Sequence, residues 1–168
     1  TSYIPTNGAI ATRLADSVSG AGDATTFNST EGVLYAEIAA LTDDLTNRFI
    51  TLSDGVGFGN SVTIFYGGAS NRLRGEIKSG GVTQASMFTS DYNITNNTKI
   101  AVKYKANDFA LWINGTEVEQ RTGGNTPIGL NDLSFNRANA FHFFGKVKDA
   151  RTYNTALTDA ELLILTTI

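Results

Sequence analysis

From Gly32 onward the chain alternates between short apolar stretches and polar turns. GVLYAEIAAL (32–41) has few polar positions, the near-continuous apolar pattern of a strand covered on both faces. RFITLSD (48–54), SVTIFYGG (61–68), NRLRGEIKSG (71–80), VTQASMF (82–88) and TKIAVKYKAND (98–108) follow, divided by glycine- and asparagine-rich turns. FALWINGTEVEQR (109–121), LSFNR (133–137) and FHFFGKVKDARTY (141–153) complete the series, the last with a buried strand expected through Phe143 and Val147. The spacers Asn107-Asp108 and Asn114-Gly115 read as hairpin turns, the second being the favoured type I′ pair. Thr158, with Glu161 three positions on, forms a capping box that opens one short helix. At the other end, TSYIPTNGAIATRLADSV reads as an extended lead-in, broken by Pro5 and Gly8, with a first strand after Ala11. Regular short strands with one terminal helix predict an all-β antiparallel sandwich.

Composition narrows this picture. A chain of 168 residues suits a single domain over 1–168, large enough to fold without a metal or disulfide. The absence of cysteine excludes a disulfide scaffold and thiolate metal or catalytic sites. A net charge of −3 argues against a nucleic-acid partner. No apolar run approaches the roughly eighteen residues of a membrane span, so membrane insertion is not expected. The start at Thr1, without methionine or a signal-peptide pattern, reads as a processed product or a module of a larger protein.

Three groups of residues carry a family resemblance. The ending Gly145, Val147, Asp149, Arg151, Tyr153, Asn154, Ala156, Leu157, Thr158 and Glu161 resembles the C-terminal signature of concanavalin A-like domains of the laminin-G/pentraxin type. Val102, Tyr104, Leu111, Ile113, Asn114 and Gly115 resemble the central hairpin of that family. Ser2, Tyr3, Ile4, Pro5, Thr6, Thr12, Arg13, Ala15 and Asp16 are similar to the start of laminin-G-like domains in tailed-phage virion proteins. The resemblance implies a two-sheet jelly roll acting as a carbohydrate-binding or adhesion module on a virion surface or outside the cell. Its partners would be host-surface glycans, including acidic ones, and other virion subunits. No cofactor is required, although relatives often bind calcium at a loop rim. Here Asp54, Asn60, Asn131 and Asp132 offer hard oxygen ligands for it, or else serve turn geometry.

Catalytic chemistry is not apparent. The single histidine, His142, has no second histidine with which to build a metal or triad site, and reads as a residue at a sheet surface or edge. Glu37 lacks carboxylates at alternate positions, and the adjacent Asp43 and Asp44 would point to opposite faces of a strand. A non-enzyme is expected. Asn28, Asn93, Asn96 and Asn114 stand in N-x-(S/T) sequons, as chance alone supplies in a chain so rich in Asn and Thr.

Charge distribution offers the sharpest clue to a site. Residues 1–71 carry a net −5, residues 72–105 a net +4, and the remainder −2. Arg72, Arg74, Glu76 and Lys78 share one side of a strand, opposite Leu73 and Ile77. Lys103 and Lys105 oppose Val102 and Tyr104, and Lys146 and Lys148 oppose Val147. If these strands are neighbours they form one cationic stripe for sulfated, phosphorylated or uronic-acid glycans; otherwise they are a solvated face that discourages edge aggregation. Trp112 reads either as a sugar platform at the rim or as a core tryptophan. Arg72, Arg74, Lys78, Lys103, Lys105 and Trp112 are therefore the candidate glycan-binding residues. A structural virion module without a sugar ligand and a glycan-active enzyme of the same fold are the alternatives.

Overall fold

Among residues 21–168, the part of the chain described by a computed structural model, the alternating segments become two five-stranded antiparallel sheets. The strands are β1 (Glu31–Ala40), β2 (Arg48–Ser53), β3 (Ser61–Tyr66), β4 (Leu73–Ser79), β5 (Val82–Thr89), β6 (Thr98–Lys105), β7 (Asp108–Ile113), β8 (Thr116–Arg121), β9 (Asp132–Ser134) and β10 (Gly145–Tyr153), followed by helix α1 (Asp159–Thr166). The back sheet runs β10-β1-β6-β7-β8 and the front sheet β5-β4-β3-β2-β9. The lead-in motif at 2–6 and the strand expected after Ala11 lie outside the described residues.

Period-two alternation builds the core. Leu34, Ala36, Ile38, Ile100, Val102, Tyr104, Leu111 and Ile113 point inward from the back sheet. They meet Ile50, Leu52, Val62, Ile64, Tyr66, Leu73, Ile77 and Met87 from the front sheet in one continuous cluster. Each such large apolar side chain contributes about 1.5–3 kcal/mol on burial. Gly75 also faces inward, and its missing side chain admits Val102, whose Cγ2 would stand 2.7 Å from an added Cβ.

The β1 strand is apolar on both faces because both are covered. Its other face, with Val33 and Tyr35, joins Ala101, Ala110 and Trp112 beneath α1, which contributes Leu162. The helix starts where the capping box places it: Thr158 Oγ1 accepts from Glu161 N at 3.3 Å, and Thr158 N donates to Glu161 Oε2 at 2.8 Å. The latter bond and that from the Thr158 hydroxyl hold the Glu161 carboxyl below its usual range. Helix α1 thus closes the back sheet, while the outward Phe49, Thr51, Ser53, Ser61, Thr63 and Phe65 of the front sheet are also buried, with Phe141 against Phe49 and Arg137 across Phe49 and Phe58.

Three local expectations are corrected. The β6–β7 turn is Ala106–Asn107, one residue earlier than expected, because Lys105 pairs with Asp108 and Asn107 takes the left-handed conformation (φ 62°). Asn114 and Gly115 do form the type I′ turn, both with positive φ. The last strand begins only at Gly145: Phe143 is buried before it, against Tyr66 and Phe135, while Val147 is 42% exposed on an edge strand. His142 therefore sits in the segment leading to that strand, edge-on to Phe144, and not in a strand.

Candidate functional site

The outer face of the front sheet is set by the same alternation that built the core. Ile50 and Leu52 turn inward on β2, so Phe49, Thr51 and Ser53 turn outward; on β3 the outward residues are Ser61, Thr63 and Phe65. Cross-strand register then places Arg74 beside Phe65, Glu76 beside Thr63, and Phe88 on β5 beside Arg74. The phenylalanines and hydroxyl residues of β2 and β3 are 1–4% exposed, so what the face presents outward is the half-buried Arg74 and Arg137 laid over them.

The rings and guanidinium groups form a layered ladder across the strands. Phe49 and Phe65 are stacked with centroids 4.6 Å apart and an interplanar angle of 18°. The guanidinium of Arg74 lies 4.7 Å from the Phe65 centroid, and that of Arg137 lies 5.1 Å from Phe49 and 4.0 Å from Phe58. Lys78 Nζ approaches Phe58 at 5.7 Å, and Arg72 lies 4.9 Å from Phe88 at the other end. Each cation–ring contact is worth about 0.5–2 kcal/mol. Their larger effect is positional, since a guanidinium flat on a ring presents its N–H edge outward in a fixed plane.

The charges on this face are incompletely paired. Glu76 Oε1 stands between Arg137 at 3.6 Å and Lys78 at 3.8 Å. Arg74 donates only to the Ser86 hydroxyl, at 3.2 Å, and neither Arg72 nor Arg74 meets a carboxylate among the described residues. At the turn that carries Arg137 the face opens into a polar cavity of about 270 Å³, walled by Thr51, Ser53, Asp132, Ser134, Asn136 and Asn139 but not by Arg137 itself. The buried Thr51 Oγ1 has no hydrogen-bond partner among the described residues. Arg137 and Ala140 bridge each other's backbones around Ala138 and Asn139, both at positive φ, and this tight turn frames the cavity.

The sequence-derived candidates divide between the two sheets. Arg72, Arg74 and Lys78 come together on the front face. Lys103 and Lys105 lie on the back sheet, so the single cationic stripe does not form. Lys103 is only 5% exposed and bonds Asp108 at 2.8 Å, with Asp159 at 3.6 Å; Lys105 meets Glu31 at 3.3 Å. Lys148, also on the back sheet, bonds Glu37 at 2.8 Å, and with the Asn97 amide it holds that carboxyl below its usual range. Trp112 is 6% exposed in the cluster under α1, which makes it a core residue out of a sugar's reach.

The four rim oxygens do share one end of the sandwich. There Asp54 Oδ2 accepts from Asn60 Nδ2 at 2.9 Å and Asp54 Oδ1 from Val56 N at 3.0 Å, while Asn60 Oδ1 accepts from Gly80 N at 2.9 Å. Asn131 N donates to Ser53 O, and Asp132 opens β9. No group of three or more His, Cys, Asp or Glu among the described residues could hold a metal ion. Turn geometry accounts for Asp54 and Asn60.

Phe49, Phe65, Phe58, Thr51 and Arg137 were not among the candidates. The signal for Phe49, Thr51 and Phe65 was present in RFITLS and SVTIFY, where phenylalanine and hydroxyl residues alternate with aliphatic ones, whereas Phe58 lies in the loop between them. Arg137 gave no signal, because it reaches the ladder from a turn.

Residues 20–163 match the family model of the concanavalin A-like lectin/glucanases superfamily. No curated protein matches the sequence. Among solved structures, the Ruminococcus gnavus IT-sialidase CBM40 superposes with a TM-score of 0.71 at 13% identity, over 93% of this chain and 98% of that one. The same module bound to alpha2,3 sialyllactose gives 0.71 at 14%, over 93% and 97%. Domain 4 of an extracellular arabinanase from Geobacillus stearothermophilus, in complex with arabinotriose, gives 0.65 at 15%, over 87% and 70%. At such identities the likeness is one of fold.

Proposed function

Because the chain belongs to the concanavalin A-like lectin/glucanases superfamily, we propose that its front sheet is the binding face of a non-catalytic carbohydrate-binding module for acidic glycans. The observation that carries this reading is the pair Arg74 and Arg137 on opposite sides of the Phe49–Phe65 stack, with a polar cavity lined by Asn136, Ala138 and Asn139 of the turn that carries Arg137. Guanidinium groups match a carboxylate bidentately, and the exposed Asn139 amide lining the cavity can meet a sugar hydroxyl. Two of the similar modules were solved with sialyllactose or arabinotriose, which is in keeping with a sugar ligand here. Glu76 lies between two cations, Arg137 and Lys78, which hold its carboxylate as an ion-pair partner. The setting we assign, the surface of a tailed-phage particle or another extracellular surface, draws its support from the lead-in resemblance at 2–6 and 12–16.

The test is titration calorimetry with 3′-sialyllactose and with lactose, at two salt concentrations, with and without a calcium chelator. The acidic trisaccharide should bind at least about tenfold more tightly, as expected of one charge-assisted contact. Binding should weaken with salt and be indifferent to the chelator. Equal affinity for both sugars would defeat the acidic-glycan reading, and chelator-sensitive binding would move the site to the Asp54 and Asp132 rim. A folded domain that binds no sugar would favour a protein-contact module, to which the exposed Leu163, Ile164 and Ile168 at the α1 end are suited.

A further inference from the structure

We infer that Arg72 and Phe88 form a second acidic subsite, so that the module grips successive residues of an acidic glycan chain and not only one terminal acidic sugar. This extension rests on the glycan reading of the front sheet. Phe88 belongs to the edge strand β5 and points outward from the sheet, yet it is 47% exposed, an unusual placement for a ring with only solvent to meet. The Arg72 guanidinium lies 4.9 Å from its centroid, and Arg74 is its direct cross-strand neighbour. Phe88 thus carries Arg72 on its ring and has Arg74 beside it in register, neither meeting a carboxylate among the described residues, while its backbone N donates to Glu119 Oε2 at 2.8 Å. The Arg72 Nε is buried and finds no acceptor among the described residues.

The contrast with the back sheet shows that this is not a general habit of the molecule. There Lys103, Lys105, Lys148 and Arg151 each meet an Asp or Glu. On the front sheet Arg48 pairs with Asp44, and Arg137 and Lys78 share Glu76, but Arg74 and Arg72 lie on aromatic rings without a carboxylate among the described residues. The cation–ring contacts run across the strands from β2, where Arg137 lies on Phe49, to the β5 edge. Strands in a sheet are spaced about 4.8 Å apart, so the row is longer than a single sugar ring, which is on the order of one strand spacing. The exposed ring of Phe88 can stack on the apolar face of a sugar while Arg72 holds that sugar's carboxylate. The ligand class is therefore a chain with carboxylates on successive or alternate residues.

The test is a length series. α2,8-linked oligosialic acids and oligogalacturonates, each from monomer to hexamer, are titrated into the wild-type domain, Arg72→Gln and Phe88→Ala. The two chemistries report which source of carboxylates the face accepts. In the wild type the tetramer of the accepted series should bind roughly tenfold more tightly than the monomer, the gain of one further charge-assisted contact. Both variants should lose that gain and keep the monomer affinity within about twofold, since neither side chain belongs to the Arg74–Arg137 pair. Thermal melts of the variants check that the β5 edge is intact. A length gain that survives in both variants, or monomer and tetramer affinities that are equal in the wild type, would overturn the second subsite while leaving the first. Absence of binding at every length overturns the glycan reading and this extension with it.

Discussion

Arg137→Ala should weaken binding of an acidic glycan by roughly 30- to 100-fold, the range expected when a charge-assisted contact is lost. Arg137 is the only residue of the ladder that touches two rings and a carboxylate. It lies 4.0 Å from Phe58 and 5.1 Å from Phe49, and it meets Glu76 at 3.6 Å. Its removal takes away the guanidinium on the Phe49 ring and leaves Glu76, among the described residues, with only Lys78, so the face loses its positive charge where a carboxylate would sit. Arg137→Lys keeps the charge but not the planar fork, and its affinity should fall in between. Lys103→Met is the control. It removes a cation of similar sequence prominence from the back sheet, so binding should change less than about twofold even where stability falls. Calorimetry on the three variants, beside thermal melts, decides the matter; equal losses for Arg137→Ala and Lys103→Met would mean that overall charge, and not the ladder, governs affinity.

Gly32→Ala should destabilise the fold by about 2–4 kcal/mol, a large effect for one methyl group. Gly32 is in β1, buried between β6 and the end of β10. A Cβ there would stand 2.4 Å from the Tyr153 carbonyl oxygen and 2.5 Å from the Tyr104 hydroxyl. The first is backbone of a paired strand and cannot rotate away. The second donates to Asn28 O at 2.7 Å, a bond that anchors the segment before β1. Displacing that buried hydroxyl adds the cost of an unsatisfied polar group to the steric cost. Gly59→Ala is the comparison, since its Cβ would meet only Gly81, its N at 3.5 Å and its Cα at 3.8 Å. That change should stay within about 0.5 kcal/mol. Chemical unfolding of both variants is the measurement; a Gly32→Ala protein as stable as the wild type would mean that β1 and β10 are not packed as described.

What was legible in the sequence follows from what is local. Alternation in TKIAVKYK and LRGEIKS assigned each side chain to a face of its strand, and the structure has those faces. Thr158 and Glu161 placed the helix start because a capping box is complete within four residues. Which strands share a sheet is set by packing across the whole domain, and so the cations of β4 and β6 could not be sorted from spacing alone. Trp112 illustrates the same gap. Period two put it opposite Leu111 and Ile113, but only the docking of α1 through Leu162 decides that this second face is buried too. The Phe49–Phe65 stack was readable as two outward phenylalanines. Arg137 was not, since a turn residue gains its place from where the turn lands.

If the front sheet, and not the helix-covered back sheet, is the binding face, backbone amide shifts of the labelled domain during titration with 3′-sialyllactose will locate it by NMR. Shifts should be concentrated at Thr51, Thr63, Phe65, Arg74, Ser134 and Arg137, with Ala101, Lys103, Trp112 and Leu162 unmoved. Shifts centred on Lys103, Lys105 and the start of α1 would contradict it.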